Sequence, residues 1–263
     1  ELEAAGQQEV LDRVARLRER GVAVALGVDA VRLSETLPHD RRGPFDVVIF
    51  QFPQHPERKK IHLQRQLLRG FLGCVAGGGV LDDRGAVILS LLRGQGGTAA
   101  EETQRRASDT WQVQEAAAEA GLILRSVRPC PVEALGALGY TRTGFRPRGL
   151  RASNAAIVQS RAFGCDGSLT HVFCREAEGV DAAHPLEWSH DISIWEPPGF
   201  TEAGLLAELR AACGPHADVA LQLLDAYRRP DDGRQARTYR ASVSTRRRAL
   251  PLGAWRRLCE GVR

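Results

Sequence analysis

The chain has 263 residues with a formal net charge of +4, and 43% of its residues are hydrophobic. That is enough for one large packed domain or two ordinary ones, and no run reaches the roughly 18 to 20 apolar residues of a membrane span. Nothing at the amino end has the basic, apolar, small-residue layout of a secretion signal, which predicts an intracellular protein. The compartment stays open between cytoplasm, nucleolus and mitochondrion, and oligomeric state is not fixed.

Six scattered cysteines without a CxxC pair predict reduced, mostly buried thiols rather than a disulfide frame or a metal site. Of the 36 basic residues only Lys59 and Lys60 are lysines; the other 34 are arginines. Arginine's planar fork suits phosphate and stacks on bases, although a coding bias toward arginine explains the same count. There is no methionine, and the chain opens directly in an amphipathic pattern, as a piece whose beginning lies upstream would.

In chain order, Val10, Val14 and Leu17 recur at helical spacing within 9–20. VAVALGVDA (22–30) reads as a short strand ending at Asp29. FDVVIFQF (45–52) reads as a buried strand stopped by Pro53, which has no N–H for a ladder. IHLQRQLLRGFLGCVA (61–76) is helical and is broken by three glycines; GAVILSLL (85–92) is a third strand. The loop RGQGGTAAEETQ precedes a helix in DTWQVQEAAAEAGL (109–122), with Asp109 or Thr110 as cap and Gly121 as stop. LILRSVRPC (122–130) is a fourth strand. Alternating strands and helices with short connections predict a parallel two-sided α/β sheet, with Asp29, Gln51 and Arg93 along one rim. SLTHVFC (168–174) alternates like one more strand closing that sheet, and the small, acidic stretch 176–183 reads as a linker.

The last eighty residues differ in style. HPLEWSHDISIW is a strand stopped by Pro197 and Pro198, and the spacing of Trp188 and Trp195 puts them on opposite faces of it. A helix follows, with Thr201 as N-cap and Gly214 as terminator. DVALQLLDAYRRP, an Asp-Gly turn and ARTYRASVST form a hairpin, and LPLGAWRRLCEGVR begins a second helix. Strand, helix, hairpin, helix is the order of a ferredoxin-like unit lacking its last edge strand. The predicted division is 1–175, a linker at 176–183, and 184–263.

SHDISIW, LLDAYRRP and TYRASV together resemble the ferredoxin-fold anticodon-binding domain that ends phenylalanine-tRNA synthetase chains, of which only this tail is shared. LGVDAVRL, FDVVIFQFP, QRQLLRGFLGCVAGGG, RGQGGT and GYTRTGF (139–145) resemble the uridine-N3 rRNA methyltransferase family, a Rossmann-like group. The two resemblances imply an S-adenosylmethionine-dependent module acting on RNA uridine, followed by an α+β module that engages a tRNA or rRNA stem-loop. A degenerate scaffold serving only as an RNA-binding adaptor is the alternative.

For the first module the resemblance implies cofactor contacts from Asp29, Ala30 and Phe50, Asp29 facing the adenine; a turn or helix cap accounts for Asp29 equally well. It implies catalytic roles for Gln51, Phe52, Pro53 and His55, with Phe52 stacking on a flipped uracil and His55 taking the N3 proton. Phe50 and Phe52 as plain core residues remain open. The family pattern is asparagine, phenylalanine, proline, histidine. Here Gln51 replaces the asparagine, one methylene longer, which moves its amide about an ångström, enough to matter for placement. Gln54 displaces the histidine to His55. No glycine-rich loop precedes 22–30, and RGQGGT follows too late a strand to substitute. In the second module Arg228, Arg229, Arg234, Arg237 and Arg240, with Arg246, Arg247 and Arg248 after the return strand, interleave with Tyr227 and Tyr239. That mixture suits single-stranded RNA, or else a charged edge that discourages aggregation. Asp191 is read as structural.

Overall fold

The computed structural model describes residues 2–55, 57, 60–138, 140 and 164–261. After α1 (Leu2–Glu19) the chain runs irregularly to a single turn, α2 (Leu33–Thr36). The predicted strand at 22–30 is not formed. Val22 and Leu26 are exposed there, 46% and 70%, and no ladder among the described residues pairs with them.

The VVIF run does form β1 (Phe45–Gln51), followed by α3 (Ile61–Gly77), β2 (Leu81–Leu91), α4 (Val113–Glu119), β3 (Leu122–Pro129), α5 (Val132–Ala137) and β4 (Leu169–Arg175). The sheet order is β1-β2-β4-β3. Only β1 and β2 pair in parallel, because β4 inserts antiparallel to both β2 and β3. The wholly parallel sheet is therefore corrected to a mixed one; an inserted strand depends on pairing 80 residues apart, which local pattern does not reveal.

Gln64, Leu68, Phe71, Leu72 and Val75 give α3 one buried stripe, which packs with α4 on the sheet face formed by Val87, Leu89, Leu91, Leu124 and Phe173. Val47 and Ile49 point to the other face and are 49% and 59% exposed. The start of α4 also differs from expectation. Asp109 sits in a preceding 3-10 turn, and the helix opens at Gln112, whose backbone is left-handed (φ 51°), with no side-chain cap. Gly121 closes it at φ 73°.

The second sheet has order β5-β7-β6, every pair antiparallel, from β5 (Leu186–Trp195), β6 (Ala217–Arg228) and β7 (Gln235–Thr245). Helices α6 (Glu202–Cys213) and α7 (Leu252–Gly261) supply Leu205, Leu209, Cys213, Trp255 and Cys259 to its core. Thr201 caps α6 by accepting the Gly204 N–H, and Gly214 ends it. Four of the six cysteines are buried.

The stretch between β4 and β5 is bonded on both sides. The Ala183 N–H reaches Leu124 O at 2.9 Å, and Ala182 N–H reaches Arg246 O at 2.7 Å. The Gln114 amide donates to His184 O and Pro185 O, at 3.1 and 3.2 Å. Glu115 on α4 accepts the Leu252 N–H at the start of α7 with both oxygens at 3.2 Å, a carboxylate placed where a helix amino end favours one. Among the described residues no helix is long and apolar enough to cross a membrane.

Candidate functional site

The carboxyl ends of β1 and β2 lie together because the two strands run in parallel, pairing Gln51 with Ser90. Gln51 is half-buried, and its Oε1 is buried without a hydrogen-bond partner. The next residue, Phe52, has φ 49°, a left-handed backbone that costs a non-glycine residue on the order of 1 kcal/mol or more. Its N–H bonds Ser90 O at 2.9 Å, which holds the turn. Pro53 behind it is buried. Phe50 faces the helices, its ring 4.4 Å from that of Phe71 and packed against the main core. One side of the Phe50 ring is thus given to the core, and the residue as a whole is half-buried.

A residue that sequence reading passed over organises the loop. Gln64 is fully buried on α3, accepts the His55 N–H at 2.8 Å, and donates from Nε2 to the carbonyls of His55 and Glu57. A glutamine in the middle of an apolar stripe was the available signal. His55 Nδ1 accepts the Glu57 N–H at 3.2 Å. With Nδ1 accepting, a neutral ring carries its proton on Nε2, whereas taking a proton from a substrate needs an open lone pair.

Asp29 folds back on its own turn. Its Oδ1 accepts the Val31 N–H at 3.0 Å, while its backbone bonds the Thr36 hydroxyl. This is the turn reading of Asp29, and Ala30 beside it packs against the core. The glycines of RGQGGT are likewise engaged: Gly94 and Gly96 donate to the buried carboxylate of Glu101 at 2.8 and 3.1 Å. Against that loop lies His171, fully buried on β4, with Nδ1 at 3.3 Å from Leu89 O and Nε2 unpartnered. Burial lowers its pKa to about 4, the Leu89 bond opposing. A Cβ on Gly96 would stand 2.8 Å from His171 Nε2, so only glycine fits there. Neither Glu101 nor His171 was singled out by the sequence. Apart from Tyr140, the GYTRTGF motif lies outside the described residues.

The arginines of the second module divide. Arg228 and Arg234 have no carboxylate partner among the described residues, and Arg229 pairs with Asp232 at 3.1 Å across the turn. Arg237 pairs with the half-buried Glu196 at 2.6 Å, and Arg240 grips Asp191 with two bonds of 2.8 and 2.9 Å, holding that carboxyl below its usual range. The other three serve the fold. Arg246 Nη1 donates to Ala182 O and Ala183 O, Arg247 pairs with Asp181, and Arg248 donates to carbonyls at the end of α6. Tyr239 is 0% exposed. Its position on β7 alternates with Arg240 and puts it in the core beside Phe200, so its expected place on an RNA surface is corrected. Trp188 packs inward and donates to Leu250 O at 2.7 Å, while Trp195 is 40% exposed at the hairpin end. The guanidinium carbons of Arg229 and Arg234 lie 4.6 and 5.1 Å from the centre of its ring.

A family model described as rRNA (uridine-N3-)-methyltransferase BTM5-like matches residues 2–135. Two curated relatives are similar to the chain. The mouse protein called ferredoxin-fold anticodon-binding domain-containing protein 1 homolog is 40% identical over 168 residues, 64% of this chain and 24% of the relative. The human ferredoxin-fold anticodon-binding domain-containing protein 1 is 38% identical over 160 residues, 60% of this chain and 23% of the relative. The chain thus spans about a quarter of the length of the curated relatives it matches. No solved structure matches it.

Proposed function

The chain belongs to the rRNA (uridine-N3-)-methyltransferase BTM5-like family, and on that premise we propose that it is an RNA methyltransferase-like protein whose second module holds RNA. The observation that carries this reading is the hairpin end of the second sheet, where Arg228 and Arg234 stand without a carboxylate partner among the described residues, beside an exposed tryptophan. Guanidinium groups not committed to internal ion pairs are the ones available to neutralise phosphate. The three-stranded antiparallel sheet with two helices on one face supports the ferredoxin-like, anticodon-binding reading of 184–263, and the parallel β1–β2 pair supports a Rossmann-like reading of the first module. The partner is a tRNA or rRNA stem-loop in an intracellular compartment.

A methyltransferase of this kind draws its methyl group from S-adenosylmethionine. Asp29 and the loop glycines do not fit that group: Asp29 closes its own turn, and Gly94 and Gly96 hold Glu101. No step through the cofactor follows from them. What the β1 end offers is base-side chemistry: the buried, unpartnered Gln51 Oε1 and the strained Phe52 turn mark a place where a base edge could be bonded and stacked. His55, whose Nδ1 is engaged, favours the adaptor reading for this chain.

Gel retardation of a tRNA and of an rRNA stem-loop tests the proposal. Arg228→Glu with Arg234→Glu should abolish the shift, and single replacements by Gln should lower the salt slope by about 0.7–0.9 each. Unaltered binding by the double variant refutes the assigned surface. Calorimetry with S-adenosylmethionine should give no heat with this chain; clear binding would restore the enzymatic reading.

A further inference from the structure

Trp195 ends β5 and is the one tryptophan among the four that is neither buried nor turned inward; Trp111 and Trp255 are buried and Trp188 is half-buried. Its neighbour across β7 is Ala236, and the next strand brings Tyr227 to the same row. The small Ala236 side chain leaves the two rings facing one another, edge to face at 6.2 Å, with Tyr227 half exposed. Arg229 and Arg234, which flank the Asp-Gly turn, lie over the Trp195 ring. A groove lined by Glu196, Tyr227, Arg228 and Arg237 adjoins them.

We infer that Trp195 is a stacking platform for one unpaired RNA base, and that Arg234 passes from its ring to a flanking phosphate when RNA binds, while Arg229 keeps its pair with Asp232. Attraction between a guanidinium and an exposed ring is weaker than a charge-assisted bond to phosphate. An RNA backbone therefore draws the Arg234 guanidinium off the ring, and the face it leaves is taken by a base. Tyr227, held edge-on, keeps the Trp195 plane upright. The occupant must be unpaired, since a base stacked inside a duplex offers its face to no side chain. This inference rests on the RNA-binding reading above and names the residue and the kind of nucleotide.

The experiment titrates the full chain with an RNA stem-loop that has an unpaired loop, and with a blunt duplex of the stem sequence, reading retardation and tryptophan emission. The stem-loop should quench emission more than the duplex does. Trp195→Ala should weaken stem-loop binding about tenfold, the loss expected for one base–aromatic contact, and leave duplex binding unchanged. Trp195→Phe should hold affinity near that of the parent while losing the quenching. An unchanged denaturation midpoint of the alanine variant shows that the fold is kept. Stem-loop binding by Trp195→Ala as tight as the parent's overturns the platform. If the arginine variants alone lose binding, RNA recognition stands without it; if the parent binds neither RNA, both readings fall together.

Discussion

Acid should destabilise this protein through His171. The imidazole is fully buried on β4, its Nε2 has no partner, and burial lowers its pKa from 6.5 to about 4. A histidine whose folded pKa is depressed contributes stability that is present above the unfolded pKa and is lost as pH falls toward the folded one. With values of 6.5 and about 4, the loss is about 2 kcal/mol at pH 5 and approaches about 3 kcal/mol at pH 4. The test is urea denaturation of the parent and of His171→Gln, whose neutral amide can still donate to Leu89 O, at steps from pH 7 to pH 4.5. The parent should lose stability relative to the variant throughout that window. Glu115, whose carboxyl burial pushes up, acts with the opposite sign, but it is common to both proteins and cancels in the difference. Parallel pH profiles for the two proteins would refute the reasoning, because they would mean that His171 is protonated as easily folded as unfolded.

Gln64→Leu should remove the three bonds that hold 55–57 and destabilise the chain by about 1–3 kcal/mol, with faster amide exchange at His55 than at Phe52; exchange that is unchanged at both would show that the loop does not depend on Gln64. Tyr239→Ala should cost about 3–5 kcal/mol as a core truncation, whereas Tyr239→Phe should bind RNA like the parent. Weakened RNA binding by the phenylalanine variant, with stability kept, would put the hydroxyl back in a recognition role.

Much of the second module is legible residue by residue, because its signals are local. Thr201 and Gly214 bound α6, the Asp-Gly turn sits between β6 and β7, and the parity of Trp188 and Trp195 correctly sends one inward and the other out. Parity would also have internalised Tyr239, since it shares a phase with Ala241 and Val243, but its place among arginines obscured that. The partners of Arg246, Arg247 and Arg248 were not readable, being carbonyls and a carboxylate brought near by the fold. The first module was harder. β1 and β2 follow from their apolar runs, but the position of β4 between β2 and β3 is a long-range outcome, and 22–30 shows that β-rich composition without a neighbour makes no strand. At the β1 end the motif could be read, while the bond between Gln64 and His55 joins residues nine apart in the chain, and the Glu57 N–H reaches His55 Nδ1 only in the folded turn.

The bonded stretch between β4 and β5 bears on how this chain can be dissected. Its acidic, small-residue composition invites a cut near 176–183, yet Ala118 from α4 belongs to the second core, and Glu115 caps the amino end of α7. Separating the two sides would take from the first amide of α7 the carboxylate that accepts it. The exchange runs one way among the described residues: α4 lends Ala118 to the core of the second sheet and Glu115 to the amino end of α7.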